Sequence, residues 1–206
     1  MSRETELATP GFEELVASGY ASEQFEAVAD VFARAIAYQG GGGAALTVYH
    51  RGEKVIDLVG GSYADDSVQI LYSVTKALTA VAAARAQEQG RLDIDQPLAS
   101  FWPAFQKRPE LRPITTRWVL SHRTGLASLS TPLTLEELLA NKDEEVIETQ
   151  EPFWEPGTTH GYHGFTYGTL MNAVFKRTVG TSVGKYLAEE IAGPMGLDLW
   201  LGTPEE

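Results

Sequence analysis

Only one stretch of this chain carries the pattern of a β-hairpin, and that scarcity limits the folds open to it. Residues 45–50 and 54–59, ALTVYH and KVIDLV, are rich in β-branched and aromatic side chains. Arg51-Gly52-Glu53 joins them, and a short glycine-containing link between two such runs is a hairpin signature. Gly60 and Gly61 close the second run. Two short strands are marginal alone and need further strands or a covering layer. No strong strand candidate follows residue 62, so either helices cover the hairpin or the strands that complete the sheet are missing from this chain.

The rest of the sequence reads as helix. Residues 23–38 place Phe25, Val28, Ala29, Phe32 and Ile36 on one face, the spacing of an amphipathic helix. The glycines from Gly40 to Gly43 end it. No Gly-Lys-Ser/Thr follows them, so they read as a turn rather than a phosphate loop. Residues 73–89 are alanine-rich and stop at Gly90. Leu92 to Leu98, with Pro97, reads as a loop. Thr115 can cap a helix running to Ser121-His122 and ended by Gly125. Thr134 and Glu137 have capping-box spacing for a helix to about Asn141. Residues 166–178 and 183–192 are two more helices, the second stopped by Gly193-Pro194. There are no internal repeats and no low-complexity linker.

A length of 206 residues with 43% hydrophobic content suits one large domain or two small ones. No apolar run reaches the roughly 20 residues of a membrane span. The opening MSRETELATPGFEEL lacks the basic start and apolar stretch of a secretory signal, so a cytoplasmic protein is expected. The absence of cysteine excludes disulfides and a cysteine nucleophile. A net charge of −12 argues against nucleic acid or an anionic membrane as partner, since both require a basic face. The acidic residues of 4–30 and 136–155 read as solvated surface. His50, His122, His160 and His163 lack zinc-ligand spacing with a nearby glutamate, so neither metal nor other cofactor is implied.

Two places set a serine three residues before a lysine: Ser73-Val74-Thr75-Lys76 and Ser182-Val183-Gly184-Lys185. Eleven serines and six lysines yield about 0.3 such matches by chance, so spacing alone proves little. Ser182 follows Gly180-Thr181 at the start of a helix, where an N-cap belongs, and Lys185 then points to water. Ser73 follows the apolar run VQILY and precedes a helix whose alanines suit burial. On such a helix the two side chains share a face. A lysine kept neutral by burial could take the serine proton, and the positive helix end favours the alkoxide. The residues alone leave open a nucleophilic serine or a capping serine beside a snorkelling lysine.

The wider context supplies a family. LYSVTKALTAVAAARAQEQGRLDIDQPL resembles the nucleophile helix and following loop of the serine β-lactamase-like hydrolases. These comprise class C β-lactamases, related serine D-peptidases and β-lactamase-like carboxylesterases. ITTRWVLSHRTGL resembles that family's next helix, with its Leu-Ser-His-x-x-Gly-Leu pattern. The segment from Phe153 to Asp198 resembles the one bearing the family's catalytic tyrosine, and AALTVYHRGEKVIDLVGG its opening hairpin. The likeness runs from about residue 24 to 202, in the family's order. It implies an α/β (α+β) β-lactamase/transpeptidase-like fold within one domain. About residues 1–72 form its α/β portion and 73–206 its mainly helical portion. It implies Ser73 as nucleophile, Lys76 as its proton partner and Tyr162 as general base or acid. A phenol titrates near about 10, and an adjacent ammonium would bring its phenolate into reach. His163, Gly164 and Trp154 would border the substrate.

Two departures shape the expectation. Gly164 stands where the lactamases carry the asparagine of Tyr-x-Asn, which removes an amide that binds an acylamino group. Hydrolysis of a small carboxylic ester is therefore expected ahead of β-lactam or D-peptide hydrolysis. The family's third motif, Lys-Thr-Gly or a counterpart on a later strand, is not found before Glu206. The chain thus reads as a truncated, N-terminal portion of such a domain, with the C-terminal sheet strands missing. Weak activity and self-association through an exposed sheet edge are the corresponding expectations, and a non-catalytic remnant that binds ligand or a partner chain is the alternative.

Overall fold

The structure is a computed structural model that describes residues 7–9, 12–40, 42–64 and 66–202. It divides into two compact units, Met1–Gln69 and Ile70–Glu206.

The first unit is a sheet with a helix packed on one face. Strands β1 (Leu7–Thr9), β2 (Phe12–Ala21), β3 (Ala44–His50) and β4 (Glu53–Gly60) pair antiparallel in the order β1-β2-β4-β3. The hairpin link is two residues long. Arg51 and Gly52 both have positive φ, 53° and 85°, the signature of the primed turn whose twist matches its strands. Ile56, Leu58 and Gly60 of β4 are buried at alternate positions. They meet helix α1 (Glu26–Tyr38), which follows a 3₁₀ turn at Glu23–Phe25. Its buried side chains are Ala29, Ala33, Ile36 and Ala37, while Val28, expected on that face, is 39% exposed. Gly60 makes the close approach possible, since a Cβ there would sit 2.7 Å from Ile36 Cδ1.

The acidic N-terminal stretch exposes Glu23, Glu26 and Asp30 and also forms part of the sheet. Strand β2 lies within it, and Ala17 to Ala21 pair with Gly60 to Ile56 of β4. The hairpin gains its further strands from before the helix. Gly41, part of the expected glycine turn, lies outside the described residues.

The second unit is helical among its described residues. Helix α2 (Thr75–Glu88) follows a 3₁₀ turn at Tyr72–Val74 and ends before Gly90, whose φ is 70°. Five helices follow: α3 (Pro103–Lys107), α4 (Thr116–Leu120), α5 (Leu135–Leu139), α6 (Lys142–Thr149) and α7 (Thr166–Thr178). Helix α8 (Val183–Leu187) runs through a π segment, Ala188–Ala192, into α9 (Gly193–Met195). The expected stop at Gly193-Pro194 is therefore overrun. Proline is tolerated at the first turn of a helix, and the chain turns instead at Gly196, with φ 64°. Thr115 caps α4, and Thr134 and Glu137 close the capping box of α5.

One core joins these helices. Ala82, Ala83 and Ala86 of α2 lie fully buried with Leu170, Val174 and Phe175 of α7. Trp102, Phe105 and Tyr186 fill the remaining space. Small residues on α2 let its neighbours approach closely, which fixes the first turn of α2 against the segment preceding α7. No helix among the described residues is long and apolar enough to cross a membrane.

Candidate active site

Ser73 lies in the 3₁₀ turn Tyr72–Val74, just ahead of α2. Tyr72 has φ 46°, a left-handed conformation that a bulky residue seldom adopts. Ser73 is exposed, and Lys76, one turn on, is half-buried. Lys76 Nζ donates to Ser73 Oγ at 3.2 Å and to the Gly164 carbonyl at 2.9 Å. Tyr162 Oη donates to the same Ser73 Oγ at 2.5 Å. The ammonium also lies 4.8 Å from the centre of the Tyr162 ring. Ser73, Lys76 and Tyr162 therefore meet around one oxygen.

Lys76 acts electrostatically on Tyr162. Polar interaction with Lys76, then the hydrogen bond with Ser73, hold the phenol below the ordinary tyrosine range. Tyr167 shows the contrast. Its hydroxyl donates to the Lys76 carbonyl at 3.2 Å, and burial pushes its pKa up to about 12.

A second layer fixes the tyrosine segment. His122 follows α4 with φ 61°. Its carbonyl accepts from Gly161 N–H and its Nδ1 from His163 N–H, both at 3.1 Å. The residues on either side of Tyr162 are thus tied to one histidine, whose ring packs 5.2 Å from the Tyr162 ring. His163 is fully buried. The Gly161 carbonyl can only accept, so Nδ1 carries the ring proton and Nε2 accepts from the Thr124 hydroxyl at 2.6 Å, while Leu126 N–H donates to Thr124 Oγ1. Nδ1–H of His163 then donates to the Gly161 carbonyl, also at 2.6 Å. Burial is the main cause that depresses the pKa of both histidines.

His163, expected to border the substrate, lies buried with both ring nitrogens engaged by protein groups. Trp154 packs against Gly161, where a Cβ would come within 2.6 Å of its ring, and edge-on to His163 at 6.1 Å. Gly164 is exposed beside Lys76 and supplies a carbonyl. The reading of single residues missed His122 as a tether, Thr124, and the Gly164 carbonyl. The signal for the first two was the Ser-His-Arg-Thr-Gly run itself.

The other serine–lysine pair has none of this geometry. Ser182 Oγ accepts from Lys185 N–H at 3.2 Å as an N-cap, and Lys185 Nζ turns outward to Glu189 at 3.7 Å. Among the described residues no three His, Cys, Asp or Glu side chains are grouped to hold a metal.

With this geometry in place, comparison with known proteins is decisive. Residues 28–206 match the Beta-lactamase family. The chain belongs to that family. It is 32% identical over 198 residues to the esterase/beta-lactamase LipL of Mycobacterium tuberculosis, covering 90% of this chain and 45% of LipL. A penicillin-binding protein homolog from Caulobacter crescentus superposes with a TM-score of 0.82 at 33% identity, over 92% of this chain and 53% of that one. A family VIII carboxylesterase does so with a TM-score of 0.81 at 29% identity, over 92% and 55%. The chain spans about half the length of these relatives. The β-lactamase/transpeptidase-like fold is thereby shown.

Proposed function

We propose that this β-lactamase-family chain is a serine hydrolase that works through an acyl-enzyme on small carboxylic esters. The observation that carries the reading is the convergence of Lys76 Nζ and Tyr162 Oη on Ser73 Oγ, at 3.2 and 2.5 Å. Tyr162, as phenolate, takes the Ser73 proton while Oγ bonds to the ester carbonyl carbon. The carbonyl π pair moves onto oxygen, and the Ser73 amide at the helix start faces the developing charge. Collapse breaks the bond to the alcohol, which leaves with the proton carried by Tyr162. Water then attacks the acyl-enzyme by the same route and releases the acid, restoring Ser73. Lys76 steadies the phenolate and is held in place by the Gly164 carbonyl.

Gly164 favours esters over lactams. It offers no side-chain amide, and a Cβ placed there would meet only Tyr162 Cε1, at 3.8 Å. The test pairs a fluorophosphonate probe with p-nitrophenyl butyrate. Labelling and hydrolysis, both lost in Ser73→Ala, are expected. An unlabelled Ser73 would favour a non-catalytic, ligand-binding role. Fast cephalosporin turnover with poor ester turnover would make the chain a lactamase.

A further inference from the structure

Helices α2 and α7 do not close on one another beside Lys76. Thr75 and Thr79 on α2 face Tyr167, Gly168, Met171 and Asn172 on α7, each set at helical i, i+4 spacing. Between them lies a cavity of about 500 Å³, a volume typical of small-molecule sites. Its polar end is Lys76 and Gly164, the same groups that border Ser73. Its body is apolar, walled by Phe165, Tyr167, Met171, Val183 and Leu201. Two of the polar side chains along it are engaged by backbone groups. Thr79 Oγ1 donates to the Thr75 carbonyl at 3.1 Å, and Asn172 Oδ1 accepts from Val183 N–H at 3.3 Å. A ligand group entering there meets few unmet hydrogen-bonding demands and much hydrocarbon.

Gly168 lines the gap. It sits inside α7, where glycine weakens a helix relative to alanine, so helix formation gives no reason for it. A Cβ at Gly168 would touch nothing within 4 Å, so a side chain there would project into open space.

We propose that this cavity is the acyl-chain pocket, with Gly168 setting the chain length accepted, so that the preferred substrates are esters of linear, medium-length aliphatic acids. The proposal rests on the Ser73 hydrolase reading. The acyl group must stay in place through both half-reactions while the alcohol must depart. An apolar pocket beside the nucleophile therefore suits the acid part.

The test compares p-nitrophenyl acetate, butyrate and octanoate, with ethyl and octyl acetate as a second series, in wild type, Gly168→Ala and Gly168→Leu. Wild type should prefer octanoate to acetate. Gly168→Leu should cut the octanoate-to-acetate ratio of kcat/KM about tenfold or more, with Gly168→Ala in between. The octyl-to-ethyl acetate ratio should not follow it. Ser73-dependent hydrolysis with an unchanged acyl ratio in a folded Gly168→Leu overturns the pocket and leaves the hydrolase reading standing. If Gly168→Leu does not fold, an unchanged ratio in Gly168→Ala does the same. A shift confined to the alcohol series also overturns it. Failure of wild type to hydrolyse any ester removes the hydrolase reading and the pocket together.

Discussion

The phenol of Tyr162 donates a 2.5 Å hydrogen bond to Ser73 Oγ, joining residues 89 positions apart in the chain. Lys76 closes the same ring through the Gly164 carbonyl, 88 residues away. Two segments that could each exist in any helical protein become a site only through these contacts. The proposed chemistry therefore depends on the packing of α2 against α7.

Replacing Tyr162 by phenylalanine isolates the hydroxyl. The side chain is 60% exposed, so stability should change by no more than about 0.5 kcal/mol. Ester hydrolysis should fall by roughly 10²–10⁴-fold, the usual worth of a general base. Steady-state kinetics and a thermal melt on the same sample check both. A variant within a few-fold of wild type would remove Tyr162 from the mechanism.

The pH profile follows from the cation beside that phenol. Lys76, then Ser73, hold the Tyr162 pKa below its ordinary value, and the proposed mechanism uses the base form. Activity should rise with pH along a limb centred below about 10. Lys76→Met removes the positive charge, so the surviving activity should show that limb moved upward. A limb that stays put in Lys76→Met would mean another group sets it.

His122 and His163 make stability fall in acid. Burial lowers both pKa values, with Lys76 and His160 adding to the effect at His122 and His122 itself at His163. Below the unfolded value of about 6.5 the unfolded chain binds protons that the folded chain refuses. Their contribution is complete above that pH and is lost as pH falls through the lowered folded values. Protonation of His122 would also cost the acceptor for His163 N–H. Melting temperatures across pH 5 to 8, an interval of about three units around the histidine range, should drop toward acid. The drop should flatten in His163→Gln. An equal slope in both proteins would assign the loss elsewhere.

Strand β3 ends the sheet and pairs only with β4 among the described residues. Such an edge invites pairing between copies, so sedimentation should be concentration-dependent. Tyr49 is 65% exposed on this strand, and Tyr49→Lys should weaken the association. A wild-type monomer at the highest concentration reached would show that the edge is harmless.

The elements legible in the sequence are those decided by neighbours. Arg51-Gly52, the Thr134–Glu137 box and the Gly90 stop each depend on contacts within a few residues. The same holds for α7, whose apolar face is continuous. Strand β2 was not legible, because Glu13-Glu14 beside Leu15-Val16 breaks strict alternation and its partner β4 comes after α1. Helix α6, KDEEVIET, buries only Ile147 and so carries a faint amphipathic signal. Within the site, Ser73, Lys76 and Tyr162 could be named from motifs. The orientation of His163 could not, since Thr124, 39 residues away, decides it.

The two serine–lysine pairs provide the last test, because identical spacing meets different surroundings. Ser182→Ala removes only the N-cap bond to Lys185 N–H, which should cost about 1 kcal/mol. Phe175→Ala empties a fully buried site in the α7 core and should cost about 3–5 kcal/mol. Urea unfolding separates those values. Fluorophosphonate labelling should persist in Ser182→Ala and vanish in Ser73→Ala, since Ser182 Oγ serves a backbone amide and Lys185 faces Glu189. Labelling that followed Ser182 instead would transfer the nucleophile to the second pair and undo the assignment built on Tyr162.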